Sequence, residues 1–210
     1  MNEFFPLFPI TVARYKYQRN DSVKSAIEQM IVDQPHRTNR QGAKLYFEKS
    51  KELFLDDPRL ADFKAFVLDS VNMYMQELVK LKGDMIITDA WLNCTGKGFL
   101  EDTHNHANSF ISGTYYVNFD STKHSNLEFY KNPLAYSSAP LLECDLIEVG
   151  PFNATKFTLD LSEGDLVLWP SHLHHGFAEE NKGDGRISIA INFMPAVISN
   201  GMFSFRASRT

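Results

Sequence analysis

Met85-Ile86-Ile87-Thr88-Asp89-Ala90-Trp91-Leu92-Asn93 is the stretch at which the hydrophobic pattern of this chain passes from helical spacing to a period of two. Behind it lies the clearest helical signal. Asp57 is an N-cap candidate, and Pro58 stands at the first helical position, where its missing N–H costs nothing. Leu60, Phe63, Phe66, Val67, Val71, Tyr74, Met75, Leu78 and Val79 then keep roughly helical spacing. Lys80 and Lys82 suit the negative end of the helix dipole, and Gly83 is placed to close the helix in a left-handed conformation. An earlier helix is predicted from Ser22 to about Val32, with Asp21 as N-cap and Val23, Ile27, Met30 and Ile31 on one face. Between the two helices, Gln34 to Gly42 is a polar, basic loop.

Ahead of Asn93 the chain is strand-rich. Strands are predicted at 85–93, 102–106, 110–119, 126–130, 144–149, 155–161, 165–169 and 186–194, separated by Gly, Pro, Asn and Ser clusters. Many short strands with polar turns indicate an antiparallel sandwich or barrel rather than a parallel sheet. The expected fold is mostly β, a jelly roll buttressed by N-terminal helices. One domain is expected over 1–210, with a helical front at 1–83 and the jelly-roll core at 84–194.

Composition agrees with a globular enzyme-sized domain. Of 210 residues, 43% are hydrophobic and 22% charged, and the 13% aromatic share suits half-buried strands. A net charge of −5 argues against a broad nucleic-acid footprint. No apolar run reaches the length of a membrane span. The opening Met1-Asn2-Glu3-Phe4-Phe5-Pro6 has neither the positive charge nor the unbroken apolar stretch of a signal peptide. Cys94 and Cys144 are too few for a disulfide framework. The expectation is a soluble, cytoplasmic protein, with the oligomeric state open and room for a homodimer.

Five of the seven histidines fall in two groups, Thr103-His104-Asn105-His106 and Pro170-Ser171-His172-Leu173-His174-His175. Residues i and i+2 on a strand share a face about 6–7 Å apart, so two imidazoles can converge on one ion at about 2.1 Å each. His-x-His alone is weak, since about 0.2 such pairs arise by chance in a chain with this many histidines. His106 with Asn108 is a competing i, i+2 pair, whereas Asp102 with His104 would reverse the expected order. His175 fits as a third ligand. His172 and His174 alternate away from it, and Trp169 reads as a core tryptophan, with a wall of the pocket as the alternative.

The spacing Gly98-x5-His104-x-His106, with Gly164-x5-Pro170 and His175 five residues on, resembles the two-part metal signature of the cupins. The first part lacks the cupin Glu, and position 179 is Glu where the second part wants Asn. The segment after His175 resembles a related family more closely. Arg186-x-Ser188 opens a hydrophobic strand, its guanidinium fork and hydroxyl pointing the same way as a cradle for a carboxylate. Ser112-Gly113-Thr114-Tyr115-Tyr116-Val117-Asn118 is similar to a strand of prolyl-hydroxylase-like oxygenases.

The set Leu7-Phe8-Pro9, Trp91-x-Asn93, His104-x-His106, Ser112-Gly113-x-Tyr115-Tyr116, Pro170-Ser171 with His175, and Arg186-x-Ser188 resembles a family of 2-oxoglutarate- and iron(II)-dependent oxygenases of marine bacteria and their phages. The resemblance implies a double-stranded β-helix and hydroxylation of a C–H bond, with 2-oxoglutarate decarboxylated to succinate. It implies Fe(II) on His104, His106 and His175 as the catalytic centre, with O2 as oxidant and ascorbate as an accessory reductant. Arg186, Ser188, Tyr116 and Asn93 would bind 2-oxoglutarate. The wider superfamily uses two His and one carboxylate; here His106 takes the carboxylate's place. The substrate is expected to be a small molecule or a peptidyl group, peptidyl-proline among them. The loops at 36–44 and 131–143 are candidate lids on length and polarity. Two other readings stand beside it: a cupin-type metal enzyme that ignores 2-oxoglutarate, and a non-catalytic metal-binding or structural jelly roll.

Overall fold

The apolar stripes of two helices and a set of alternating strands close on one another in the computed structural model, which describes residues 9–131, 147–150 and 153–208. Helix α1 spans Asn20–Met30, two residues ahead of its expected start, and buries Val23, Ala26 and Ile27. The shift has a local cause in Asn20. Its amide donates to the Val117 carbonyl at 3.0 Å, and its Oδ1 accepts from the Tyr115 hydroxyl, tying the helix start to the sheet. Asp21 therefore lies inside the first turn, and no side chain caps the helix.

Asp57 and Pro58 open the second helical region as expected, through a 3-10 turn at Pro58–Leu60. The Asp57 carboxylate accepts from the Arg59 backbone N–H at 2.9 Å and from its guanidinium. Helix α2 then runs Ala61–Tyr74 and ends in a π turn at Met75–Val79. Lys80, not Gly83, closes it in the left-handed conformation (φ 58°). Gly83 adopts positive φ in the connection that follows. Phe63, Val67 and Val71 are fully buried against the sheet, and each contributes about 1.5–3 kcal/mol of apolar transfer before entropy is counted.

The remaining elements are strands: β1 (Ala13–Lys16), β2 (Arg37–Thr38), β3 (Lys44–Tyr46), β4 (Met85–Thr95), β5 (Glu101–His104), β6 (Ile111–Asn118), β7 (Leu127–Tyr130), β8 (Lys156–Leu159), β9 (Asp165–Pro170), β10 (His174–Phe177), β11 (Arg186–Pro195), β12 (Val197–Ser199) and β13 (Ser204–Arg206). A major sheet is ordered β1-β9-β6-β11-β4-β3-β2, and a minor sheet β5-β10-β7-β8. Pairing is antiparallel throughout both. This two-sheet arrangement is a double-stranded β-helix, with the helices on the outer face of the major sheet.

The front of the chain is less helical than its sequence suggests. It supplies β1, which pairs with β9, and β3, which pairs with β4 and carries β2 on its outer edge. Strands of two to four residues show no period of their own and form only because a neighbour offers its backbone. Of the strand expected at 144–149, residues 144–146 lie outside the described residues and 147–149 carry no strand. The candidate lid at 131–143 lies outside them beyond Lys131, as do Leu7 and Phe8. Among the described residues no helix is long and apolar enough to cross a membrane.

Parity along the central strands separates two interiors. Tyr115, Leu166, Leu168, Ile189, Ile191 and Phe193 pack with Ile27, Phe63 and Val67 under the helices. Tyr116, Phe119, Val167 and Trp169 pack with Leu127, Phe129 and Leu173 between the sheets. Gly176 is required where β10 meets β5, since a Cβ there would stand 2.7 Å from the Glu101 carbonyl oxygen.

Hydrogen bonds from Arg59 hold the Asp57 carboxyl down to about 2, below its ordinary value near 3.9. Its stabilisation is thus complete above pH 4 and lost as pH falls through 2. Asp57→Ala is expected to lower stability by about 1 kcal/mol near neutral pH, the loss of one cap. In urea melts the gap from wild type should close as pH falls from 5 to 2.

Candidate active site

His104 ends β5 and His175 lies on β10, directly opposite it in the antiparallel register. His106 lies beyond the strand end rather than on it. It is anchored by its backbone N–H, which donates to the Ser171 carbonyl at 3.0 Å. The three imidazoles meet, with one ring nitrogen of each within 4.8 Å of the others. Small ring rotations bring three such nitrogens to the roughly 2.1 Å of a histidine–metal bond.

The hydrogen bonds behind the rings decide which nitrogens face inward. Nδ1 of His104 lies 2.8 Å from the Asp102 carbonyl, and Nδ1 of His175 lies 2.9 Å from the Leu173 carbonyl. Nδ1 of His106 lies 2.7 Å from Oδ1 of Asn192. A carbonyl oxygen only accepts, so each Nδ1 carries a proton and Nε2 is the nitrogen left to face an ion. Burial, with the neighbouring imidazoles, pushes His175 down to about 3 and also lowers His106. These two rings are therefore neutral, the form that binds metal. His172 is exposed and His174 half-exposed, on the opposite parity of β10. Asn108, the competing ligand, is an exposed residue in a left-handed turn (φ 57°).

Asn192 carries no role in the sequence reading. Besides His106 it accepts from the Ser112 hydroxyl at 3.0 Å, and Ser112 continues to Ser171 at 2.8 Å and on to Ser109 at 2.9 Å. The signal was present: Asn192 is the one polar residue in Ile189-Ala190-Ile191-Asn192-Phe193, and it shares parity with Arg186 and Ser188. Trp91 lies against the site as well, its ring stacked 5.9 Å from that of His106.

The inner face of the major sheet forms rows across its strands. Trp169, Ser112 and Asn192 stand side by side at the histidine end. Thr114, Ala190 and Trp91 follow, then Tyr116, Ser188 and Asn93. Arg186 lies one step beyond, opposite Thr95.

Arg186 is 3% exposed and forms no ion pair among the described residues. Its guanidinium carbon sits 4.5 Å from the Phe177 ring centroid, 5.4 Å from Tyr116 and 6.0 Å from Phe119. Its Nε and the Tyr116 hydroxyl have no hydrogen-bond partner among the described residues. Burial raises the Tyr116 pKa, keeping that hydroxyl a donor. A buried cation beside an unused donor, enclosed by aromatic rings, is costly unless an anion completes it. Arg186 and its neighbours can hold a carboxylate, and the three imidazoles can hold a divalent metal.

Residues 89–192, just under half the chain, match a family described as "Putative 2OG-Fe(II) oxygenase". No curated protein matches the chain in sequence. Among solved structures, a prolyl-4-hydroxylase from Pseudomonas putida is similar over 89% of this chain and 93% of its own, at 13% identity and a TM-score of 0.59. HygX from Streptomyces hygroscopicus, solved with nickel, 2-oxoglutarate and hygromycin B bound, is similar over 89% of this chain and 83% of its own, at 11% identity and a TM-score of 0.60. A prolyl hydroxylase from Trichoplax adhaerens, in complex with a hypoxia-inducible-factor peptide, covers 88% of this chain and 83% of its own, at 14% identity and a TM-score of 0.55. At these identities the likeness is one of fold.

Substituting Asn192→Leu removes the acceptor that orients His106 while keeping side-chain volume close. Divalent-metal affinity, measured by calorimetric Fe(II) or Zn(II) titration, is expected to fall about 10- to 100-fold. His175→Ala should abolish tight binding altogether. Unchanged affinity in Asn192→Leu would show that Asn192 does not set the ring.

Proposed function

We propose that this chain is an iron(II)- and 2-oxoglutarate-dependent oxygenase that hydroxylates a C–H bond of a small-molecule or peptidyl substrate. The observation that carries the reading is Arg186, buried without an ion pair among the described residues, on the same face of β11 as Asn192, which holds His106 among three converging imidazoles. The family match over 89–192 and the fold support it.

His104, His106 and His175 would hold Fe(II) through Nε2. Arg186 and Ser188 would grip the distal carboxylate of 2-oxoglutarate, Arg bidentately, with the Tyr116 hydroxyl and Asn93 as further polar contacts. When bound, iron and 2-oxoglutarate with O2 supply the oxidising power for hydroxylation: substrate C–H becomes C–OH, and 2-oxoglutarate leaves as succinate and CO2. Ascorbate would serve as an accessory reductant. The rings of Phe177, Phe119 and Tyr116 keep water from the guanidinium, which strengthens its hold on an anion. Three neutral ligands leave the full +2 of the metal uncompensated by protein, which favours a dianionic partner. No acid–base pair is required, since the chain's task is to place the reacting groups and exclude water.

Peptidyl-proline is the first substrate to try, given the two prolyl hydroxylases of like fold. The test of the reaction class is an anaerobic Fe(II) titration followed by 2-oxoglutarate, watched for a visible metal-to-ligand charge-transfer band. Wild type should show the band. Arg186→Ala should keep its iron yet need at least about 100-fold more 2-oxoglutarate, as expected for removing a buried charge-assisted pair. Arg186→Lys should recover little of this, because an ammonium lacks the planar fork. Iron bound with no band would favour a cupin-type enzyme, and no iron bound a non-catalytic jelly roll.

A further inference from the structure

Trp169 is the buried polar side chain of the inner layer to which the proposed reaction gives no task. It is 1% exposed, and its indole Nε1 has no hydrogen-bond partner among the described residues. Its ring stands edge-on to the His175 imidazole, centroids 4.6 Å apart at 61°, and edge-on to Phe129 at 5.4 Å. The register puts it across from Ser112, which is across from Asn192, the group that holds His106. Trp169 thus belongs to the histidine end of the cavity, two rows from Tyr116 and Ser188.

An indole N–H can only donate. His175 offers it no acceptor, since Nδ1 of that ring is turned to the Leu173 carbonyl and Nε2 to the other histidines. Phenylalanine would complete the same aromatic wall without burying a donor, and the strand pairing of Trp169 asks only for its backbone. The unused donor therefore repeats at the metal end what Arg186 Nε and Tyr116 Oη show at the far end: a polar group enclosed between the sheets with its acceptor still to come.

Resting on the oxygenase reading, we propose that Trp169 Nε1–H donates a hydrogen bond to the chelating end of 2-oxoglutarate, the 2-oxo-carboxylate that lies beside the metal. Arg186 and Trp169 then hold the co-substrate at its two ends. The indole contributes orientation at the metal and sharpens the preference for a 2-oxo acid over a plain dicarboxylate.

The chain has two tryptophans, so 15N-indole labelling gives two Nε1–H signals, and Trp91→Phe assigns them. In the diamagnetic zinc form, 2-oxoglutarate should move the Trp169 signal downfield and slow its exchange with solvent, while succinate, which lacks the 2-oxo group, should leave it in place. In the anaerobic iron form, Trp169→Phe should bind 2-oxoglutarate about tenfold or more weakly, with the charge-transfer band at higher energy and iron affinity unchanged. A wild-type band together with an indole signal that 2-oxoglutarate does not move would overturn this assignment alone. No band in wild type would overturn the oxygenase reading and this assignment with it. Should Trp169→Phe fail to fold, the zinc-form spectrum of the wild type decides by itself.

Discussion

Burial on both faces of β6, β9 and the middle of β11 is the constraint from which the rest of the structure follows. A strand with one wet face can tolerate a slip of register or an extra polar residue there. A strand covered on both sides cannot, because a one-residue shift sends every side chain to the wrong interior. Here one interior is an oily layer under two helices, holding Tyr115, Ile189 and Ile191. The other is the space between the sheets, holding Tyr116, Trp169 and the polar side chains of β11. Parity alone decides which tyrosine of the adjacent pair packs on Phe63 and which stands beside Arg186.

That division also sets the electrostatics. The oily layer pairs two of its tyrosine hydroxyls, Tyr74 with the Thr11 carbonyl and Tyr115 with Asn20, the second of which also fixes where α1 begins. The inner layer is treated differently at its two ends. At the histidine end three Nδ1–H groups meet three carbonyl oxygens and Ser112, Ser171 and Ser109 follow in a hydrogen-bonded chain, while the Trp169 indole N–H has no partner among the described residues. Near Arg186 the donors outnumber the acceptors. Buried donors without partners are uncommon because each costs what a lost hydrogen bond costs. Here Arg186 Nε, Tyr116 Oη and Trp169 Nε1 lie on the inner layer that also carries the three-histidine cluster, and none has a partner among the described residues.

Much of this was legible in the residues. The amphipathic stripe of α2, the Asp57-Pro58 start and the alternating strands from Met85 onward are strong local signals, and the structure carries them within a few residues. Histidine spacing named three imidazoles that meet, and Arg186-x-Ser188 named two buried side chains on one strand face. What escaped was short or relational. The strands β1 and β3 are too brief to show a period and exist because β9 and β4 lend them a backbone edge. Lys80 replaced Gly83 as the helix stop because the helix widens into a π turn before it ends. Asn192 looked like one more residue of a core strand, since nothing in its neighbours shows that a histidine 86 residues away would need an acceptor.

By itself, then, the sequence determined the kind of layer each segment would form and the chemistry it could offer, because periodicity and side-chain type are local properties. It set the double-stranded β-helix and the presence of three imidazoles, a guanidinium and two tyrosines of opposite parity. Only the tertiary structure decided which nitrogen of each imidazole turns inward, that Arg186 would be sealed away without a carboxylate to pair with among the described residues, and that Trp169 would keep its N–H unused beside His175. Those outcomes depend on groups distant in the chain and adjacent in space, and on the dielectric of an interior that exists only once both sheets have closed.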